Sequence, residues 1–457
     1  MRIKFSSPAK KTVRINAFSG GVNYRSDESV GSAARAKECY NFDFSDGTLK
    51  AGYGLETKSL FSVPVRSAWE FSRYDHDQGA KVTSILFVSA SGELYERTSA
   101  GVVTRKGTMV FTSPAQFIGY RLYGEDVAII TSEKDGMFVY SGSGEPYAVT
   151  NAPAITSMTI HAERLFVTVG GEKNAVWFSD DLDPTNWDAS LTGAGFIEMQ
   201  DERGDINRVV GFLGYVYAFR ERGISRISAY GAQSDFSVGN LYVSGGRIFP
   251  DTVTACGDVV LFLGEEGLCG FDGVSTTRLL TSLDGLLGGE KAVGAYKSGK
   301  YYLAFSYGGE SDENDSLLVF DPTDGSYSIS KGFSLSGFCV TESEVIGITS
   351  GGSAGAVVKC GASLGTALPK RWRIPRNDWG SGGRKTVREI SVYTRYPCKA
   401  VLRGDGGRSL TVSFSGKDDV QRKRVSFTAR RIGVDIEATT AQAEISRPSF
   451  VMTEAGG

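Results

Sequence analysis

The stretch that decides the fold is "DTVTACGDVVLFLGEEGLCGFDG", residues 251–273. A short apolar segment is followed by a Gly-Asp turn, the strand "DVVLFLG", a Glu-Glu-Gly turn and a further strand, "GLCGFDG". The unbroken apolar run of the middle strand is typical of strands that are covered on both faces, and short glycine turns join antiparallel neighbours. The stretch therefore predicts an antiparallel sheet that lies between other sheets.

The middle strand of this unit recurs along the chain with a nearly constant period. Seven copies lie at intervals of 43, 37, 51, 44, 42 and 43 residues, centred on Leu86, Ile129, Phe166, Tyr217, Leu261, Leu303 and Ile346. A period of about 40–45 residues with three or four strands per unit is typical of a β-propeller. Sheets that stack radially in a ring cover the faces that one sheet alone leaves exposed. We therefore expect an all-β chain with a β-propeller of about seven blades over residues 61–365, and six or eight blades also fit the pattern.

The pattern changes after Cys360. Alternating apolar and polar residues over residues 366–457 predict five or six antiparallel strands, enough for a small β-sandwich. From Lys370 onward there are 18 Lys and Arg against 9 Asp and Glu, a net charge of +9, which leaves −11 on the preceding residues. Two interpretations stay open: two differently solvated surfaces, or complementary surfaces for assembly.

The run "QRKRVSFTARR" concentrates the basic residues of this C-terminal domain. It predicts a candidate basic interface formed by Arg422, Lys423, Arg424, Arg430 and Arg431. Such side chains either protect an exposed edge strand against aggregation or contact an acidic neighbour or nucleic acid phosphates. The nearby tripeptide Arg403-Gly404-Asp405 matches a cell-adhesion motif, but Asp-Gly favours an ordinary hairpin turn.

The sequence lacks the motifs of common enzymes. It has no GxSxG, HExxH, P-loop or dinucleotide-binding pattern, and its two histidines lie in a turn (His76) and an apolar strand (His161). We predict no catalytic residues and no cofactor; glycosidase carboxylates on a propeller remain an open possibility. The chain is expected not to be an enzyme.

Metal binding and membrane insertion are not predicted either. The six cysteines are scattered without a CxxC pair, which favours free, buried thiols and folding in a reducing cytosol. In "WFSDDLDPTNWD", a turn anchored by Trp187 is favoured over a calcium site formed by Asp180, Asp181 and Asp183. No apolar stretch reaches the roughly 18 residues that a membrane span needs.

Several ordered phrases give the chain a resemblance to one protein family. They are "FSGGVN", "AARAKECYN" and "DGTLKAGYG" near the start, the hairpin "WFSDDLDPTNWD", and "KTVREISVYTR", "VLRGDGG", "ARRIGVDIEA" and "ISRPSF" near the end. In this order they resemble the tail hub or nozzle proteins of short-tailed bacteriophages, also called tail stabilisation or tail accessory proteins. The arginine usual in the third phrase is absent here, where Lys50 and Tyr53 lie nearby.

The resemblance implies a structural virion protein of the phage tail, folded in the cytoplasm of the host bacterium. It implies a ring of copies of this chain, commonly six, below the portal and its adaptor, with fibre, spike or needle proteins as further partners. Genomic DNA would pass through the channel of this ring, and an acidic wall would hold its phosphates only weakly.

The resemblance also gives a role to residues 1–60, which we interpret as an extended docking arm. Residues 47–59, "GTLKAGYGLETKS", are the predicted closing strand of the last blade. The candidate docking and closure residues are Phe18, Gly20, Gly21, Asn23, Asn41 and Leu49. Two alternatives to a tail protein remain: a receptor- or glycan-binding propeller, with or without hydrolase activity, and a propeller scaffold in a bacterial cell.

Overall fold

The computed structural model describes residues 10–15, 18–25, 35–58, 60–76, 78–190, 192–349, 356–361 and 367–454. These residues form β-strands almost throughout, so the prediction of an all-β chain is confirmed. The helices in these ranges are single 3-10 turns, at Gln233–Asp235, Pro250–Thr252, Thr281–Leu283 and Asp405–Gly407. None of them is long and apolar enough to cross a membrane.

Five short strands precede the first repeat. They are β1 (Lys10–Arg14), β2 (Glu38–Tyr40), β3 (Phe42–Asp43), β4 (Leu49–Ala51) and β5 (Tyr53–Thr57).

The repeats themselves form seven four-stranded antiparallel sheets within the described residues. Sheet 1 contains β6 (Val65–Asp75), β7 (Ala80–Ser89), β8 (Glu93–Thr98) and β9 (Val103–Val110). Sheet 2 contains β10 (Ala115–Leu122), β11 (Glu125–Ser132), β12 (Gly136–Tyr140) and β13 (Tyr147–Val149). Sheet 3 contains β14 (Ile155–His161), β15 (Arg164–Val169), β16 (Ala175–Phe178) and β17 (Gly195–Glu198). Sheet 4 contains β18 (Ile206–Phe212), β19 (Tyr215–Arg220), β20 (Gly223–Ser228) and β21 (Ser237–Val243).

The remaining three sheets continue in chain order. Sheet 5 contains β22 (Thr254–Cys256), β23 (Val259–Gly264), β24 (Gly267–Phe271) and β25 (Thr276–Arg278). Sheet 6 contains β26 (Leu287–Lys297), β27 (Lys300–Tyr307), β28 (Ser316–Phe320) and β29 (Tyr327–Lys331). Sheet 7 contains β30 (Leu335–Val340), β31 (Val345–Thr349), β32 (Ala356–Cys360) and the N-terminal strand β5.

Each of these sheets packs on the next, and the last packs on the first. Phe71 of sheet 1 shares a buried cluster with Ile130 of sheet 2, and Ile346 of sheet 7 shares one with Phe87 of sheet 1. The first strands of neighbouring sheets also touch, for example β14 with β18 and β30 with β6, which places them innermost. Both faces of every sheet are thus covered, which is the arrangement of a β-propeller.

Strand β5 completes sheet 7 by antiparallel pairing with β32, from Thr57 opposite Ala356 to Tyr53 opposite Cys360. It lies within residues 47–59, where the closing strand was predicted. Leu55 on this strand is fully buried against Leu335. A segment from before the first repeat therefore covers what would be an open edge of the last sheet.

The C-terminal domain contains two larger sheets built from seven further strands, namely β33 (Lys370–Asn377), β34 (Lys385–Thr394), β35 (Cys398–Arg403), β36 (Ser409–Phe414), β37 (Asp419–Ala429), β38 (Ile432–Ala438) and β39 (Glu444–Glu454). Sheet 8 has the order β2-β33-β38-β35-β36, and sheet 9 has the order β3-β4-β39-β34-β37, with β1 also pairing with β39. The segment predicted to be an extended arm thus supplies strands to both sheets.

The two C-terminal sheets share one apolar core. Trp372 and Leu402 of sheet 8 and Ile390 and Phe450 of sheet 9 belong to the same cluster and are buried to within 1% of full burial. The cluster continues into sheet 6, where it includes Tyr301. Burying one large apolar side chain contributes roughly 1.5–3 kcal/mol, so this continuous core holds the C-terminal sheets firmly against the repeats.

Candidate interaction surfaces

The turn that contains Phe18, Gly20 and Gly21 lies between the repeats and the C-terminal domain. The buried ring of Phe18 meets Trp372 edge-on, with the ring centroids 5.2 Å apart. Gly21 has a φ of 71°, and a Cβ atom there would lie 2.9 Å from the Tyr327 hydroxyl. That hydroxyl accepts a hydrogen bond of 2.8 Å from the next backbone N–H group, so the close approach requires glycine. Gly20 is exposed in the same turn.

Asn41 joins the N-terminal segment to sheet 6. Its side-chain amide donates to the carbonyl oxygens of Lys331 at 3.0 Å and Pro369 at 2.7 Å, and its Oδ1 accepts from the Lys331 N–H group at 2.9 Å. Asn41 has a φ of 60° and is 2% exposed. Asparagine tolerates this left-handed conformation better than most residues.

Asn23 and Leu49 complete the predicted set of docking and closure residues. The backbone N–H group of Asn23 donates to the Ala36 carbonyl oxygen at 2.8 Å, and Leu49 is fully buried in the core of the C-terminal domain. Five of the six predicted residues thus lie in contacts within this chain, and Gly20 is the exposed one. We call this region, formed by residues 18–25 and 35–51 with β29 and β33, the junction.

An ion-pair network around one buried carboxylate links the junction to β35 and β38. Asp435 is fully buried and accepts hydrogen bonds from Arg403 at 2.9 Å and Arg371 at 3.0 Å. Arg371 also lies 3.7 Å from the carboxylate of Glu38 on β2. Charge pairing thus adds to backbone pairing in holding β2 on sheet 8. Because the Arg403 side chain binds Asp435, the Arg403-Gly404-Asp405 sequence has a structural role within this chain.

The predicted basic interface divides into two separate places. Arg422 and Arg424 lie opposite Ser391 and Glu389 on edge strand β37, whereas Lys423 lies opposite the buried Ile390. Because side chains alternate along a strand, Lys423 faces the other side of the sheet. All three are exposed.

Arg430 and Arg431 follow the end of β37 and lie roughly 20 Å from Arg424 along the strand direction. They line an open cleft of about 670 Å³ together with Arg384, Arg408 and Asp405. The Asp405 carboxylate accepts hydrogen bonds from the backbone N–H groups of Arg430 at 2.8 Å and Arg431 at 3.1 Å. The hydrogen bond from Arg431 contributes most to lowering the pKa of Asp405. One carboxylate among four guanidinium groups leaves this arginine cleft strongly positive.

Sequence reasoning missed Arg384 and Arg408, since each is more than 20 residues away from Arg430 and neither lies in a basic run. Only the pairing of β34 with β37 and the turn at Asp405–Gly407 bring them to the cleft.

The "WFSDDLDPTNWD" segment is a turn anchored by Trp187, as predicted: the indole is 6% exposed and packs in the core between sheets 2 and 3. Its carboxylates point to separate donors. Asp180 accepts from the Gly193 N–H group at 2.9 Å, and Asp183 accepts from Thr185 Oγ1 at 2.6 Å. Among the described residues, no group of three or more His, Cys, Asp or Glu side chains could hold a metal ion.

Both histidines contact aromatic rings, and His76 also lies 3.6 Å from the Glu125 carboxylate. The His161 ring meets Tyr230 edge-on at 4.9 Å, and burial lowers the pKa of this imidazole. The exposed His76 contacts Tyr74 at 5.1 Å. The cysteines whose side chains the structure describes are free and buried, as expected: Cys39, Cys256, Cys269, Cys339 and Cys398.

A second open cleft, of about 780 Å³, lies where β10 turns into β11 and β14 turns into β15. We call it the aromatic cleft. Its lining includes Tyr120, Tyr123, Ile160, Glu163 and Leu182. The sequence offered one signal for it, the Tyr-Gly turn in "RLYGED", since a tyrosine is unusual at a position that favours Gly, Asn or Asp.

Hydrogen bonds hold the two tyrosines of this cleft. The Tyr123 hydroxyl donates to Asp183 Oδ2 at 3.1 Å, and the Tyr120 hydroxyl donates to the Glu163 carbonyl oxygen at 2.7 Å. The Tyr123 ring is nevertheless 82% exposed. It is therefore a fixed aromatic surface that faces solvent.

No protein-family model and no curated protein sequence matches this chain. Among solved structures, the chain is similar to BBS1N in complex with ARL6DN, with 11% identity over 68% of this chain and 96% of that chain and a TM-score of 0.43. It is similar to the extracellular domain of BT4673 from B. thetaiotaomicron, with 10% identity over 81% of this chain and 47% of that chain and a TM-score of 0.43. It is also similar to Hsv2 of K. marxianus, with 10% identity over 59% of this chain and 98% of that chain and a TM-score of 0.36.

Proposed function

We propose that this chain is a structural, non-enzymatic subunit of a short-tailed bacteriophage tail, the hub or nozzle. The observation that carries the proposal is that several phrases of the family resemblance, distant in sequence, lie at the junction and in the two C-terminal sheets beside it. "FSGGVN" and "AARAKECYN" contribute Phe18 and Asn41, and "DGTLKAGYG" contributes β4. The C-terminal phrases lie in β34, β35 with the turn that follows it, β38 and β39. These phrases are far apart in the sequence but close together in the structure. This supports a resemblance that extends to the whole architecture and is not limited to isolated motifs.

The proposal includes the finer architecture. The seven four-stranded sheets are the complete set of propeller blades, and sheets 8 and 9 form a basic β-sandwich. Residues 1–60 close the propeller and present the docking segment. The wide apolar contact through Phe18, Trp372 and Tyr327 supports a rigid connection between propeller and sandwich.

Copies of this chain assemble into a ring, with six as the expected number, below the portal and its adaptor in the virion tail. The charge asymmetry supports contacts between the basic domain and acidic surfaces, with −11 before Lys370 and +9 from there on. Arg422 and Arg424 on the outer face of β37 are the contact residues that we assign first. Genomic DNA passes through the ring, and fibre, spike or needle proteins bind around it.

Co-expression with the portal and adaptor proteins of the same phage tests this proposal. Negative-stain images and native mass spectra are expected to show a ring of this chain on the adaptor end of the portal particle. The double variant Arg422→Glu/Arg424→Glu is expected to lose the ring. Lys399→Glu/Lys417→Glu, which reverses two exposed charges elsewhere on the same domain, is the matched control and is expected to keep it. The proposal is contradicted if the wild-type chain stays monomeric and does not bind the portal particle.

The second candidate, a glycan-binding propeller, is favoured by one observation, the aromatic cleft. A glycan-binding subunit retains its ligand as an isolated chain, whereas a hub requires its partners to assemble.

A further inference from the structure

Left-handed backbone occurs at three residues of the aromatic cleft. Tyr123, Glu163 and Leu182 line it and have φ values of 51°, 62° and 60°. Left-handed backbone is uncommon for residues other than glycine and is a clear outlier for bulky side chains. Strain of this kind clusters at ligand sites, where it persists because the surrounding structure enforces it.

Packing does not explain why these side chains are large. Tyr123 is 82% exposed and Leu182 is 58% exposed, so neither contributes a buried surface that would offset the strained backbone. Asn or Gly would fit both turns better. Leu213, in the corresponding turn of sheet 4, is also left-handed and exposed, so the evidence for a ligand at the cleft is the fixed Tyr123 ring and its polar neighbours.

The chemistry of the cleft selects a class of ligand. Its apolar surface comes from Tyr120, Tyr123 and Ile160, and its hydrogen-bonding groups come from Ser72 and Asp126. Asp126 already accepts the backbone N–H group of Tyr74 at 2.8 Å, so it is held in place with acceptor capacity to spare. A single arginine, Arg121, lines the cleft beside two carboxylates, Asp126 and Glu163, which disfavours phosphates and other polyanions.

The open shape of the cleft favours an extended ligand rather than a small molecule that is engulfed. A saccharide chain is an extended ligand with both apolar faces and hydroxyl groups, and a neutral one carries no charge for the two carboxylates to repel. We propose that the aromatic cleft binds a neutral oligosaccharide, with the Tyr123 ring as its stacking platform and Ser72, Asp126 and Glu163 as hydrogen-bonding partners. This site is independent of the tail assembly proposed above, since none of its residues belongs to the junction or to β37.

The test uses the full chain on an array of neutral oligosaccharides, followed by calorimetric titration of the oligosaccharide that binds best. Tyr123→Asn removes the ring and replaces it with a residue that suits a positive φ. We expect the affinity to fall about tenfold or more, as for the loss of one aromatic contact, while the melting temperature stays the same or rises. Phe196→Ala is the matched control, because it removes a ring that is 47% exposed and stacks on Trp177 within sheet 3, outside the lining of the cleft.

The outcomes separate the possibilities. Binding that is lost in Tyr123→Asn and kept in Phe196→Ala supports the site. A wild-type chain that binds no oligosaccharide overturns it, and so does binding that Tyr123→Asn leaves unchanged. A parallel titration with a deca-lysine peptide covers the other class of ligand: Tyr123-dependent binding of the peptide, without binding of any oligosaccharide, overturns the proposal in favour of a basic protein segment.

Discussion

Replacing Asn41 measures how firmly the junction is held. The side chain makes three hydrogen bonds, two as a donor and one as an acceptor, at 3.0, 2.7 and 2.9 Å. Asn41→Gly removes all three but accepts the φ of 60° without strain. Asn41→Ala removes the same bonds and adds the strain of a left-handed alanine.

The expected magnitudes follow from these contacts. Each hydrogen bond contributes about 1 kcal/mol net, so Asn41→Gly is expected to lower the free energy of unfolding by about 3 kcal/mol. A left-handed residue with a Cβ atom costs about 1 kcal/mol more, so Asn41→Ala is expected to lower it by about 4 kcal/mol. The predicted order of stability is therefore wild type, Asn41→Gly and then Asn41→Ala.

Urea unfolding followed by tryptophan fluorescence provides the measurement, because Trp372 lies in the adjoining core. The matched control pair is Ser298→Gly and Ser298→Ala, at an exposed turn position with a φ of 50°. This pair reports the backbone contribution alone, and we expect Ala to be less stable than Gly there by about 1 kcal/mol. The reasoning is refuted if Asn41→Gly unfolds at the same urea concentration as the wild type.

Three further predictions concern other contacts. Glu96 accepts hydrogen bonds from Ser84 at 2.7 Å and Tyr140 at 2.8 Å; burial alone would raise its pKa, but these bonds and Lys106 lower it. The ionised Glu96 therefore stabilises the fold above its unfolded pKa of about 4.3, and this stabilisation is lost as the pH falls through the lower folded pKa. In Glu96→Gln, the melting temperature is therefore expected to depend less on pH between pH 5 and pH 3 (about two units). Leu55→Ala, in the closing strand, is expected to lower the free energy of unfolding by about 2–5 kcal/mol. In limited proteolysis, this variant is expected to be cleaved near β5 earlier than the wild type, whereas the control Leu213→Ala, at an exposed position, is not. Asp435→Asn leaves two arginines without their buried partner and is expected to lower the free energy of unfolding by about 3 kcal/mol in urea titrations; an unchanged midpoint would show that the network is dispensable.

The repeats could be predicted from the sequence because their strands carry a strong local signal. Leu261 and Leu303 lie in runs that are apolar at nearly every position, and such runs indicate strands with two covered faces. The turn at Trp187 was predictable for a similar reason, since a tryptophan among turn residues indicates an anchored loop. These features depend on residues that are close together in the sequence, so the sequence alone is enough to predict them.

The long-range pairings of the N-terminal segment could not be predicted in the same way. Strand β1 pairs Lys10 with Thr453, yet it is short and mostly exposed, so it has no apolar pattern. Its position is set by backbone hydrogen bonds to a strand at the other end of the chain, and backbone groups are the same in every residue. The φ of Asn41 and the strained turn at Tyr123 are likewise visible only once the backbone is known.

Strand β37 shows why the sequence left two interpretations of its basic run open. On an edge strand, a charge on the core side discourages another strand from adding to the sheet, and Lys423, opposite Ile390, occupies that side. Arg422 and Arg424 lie on the outer side, where they leave the edge unprotected but present two guanidinium groups to a partner. Because side chains alternate, consecutive basic residues necessarily serve both faces. Edge protection and partner binding are therefore compatible roles of neighbouring residues, and the charge reversals at Arg422 and Arg424 test the second role without removing the first.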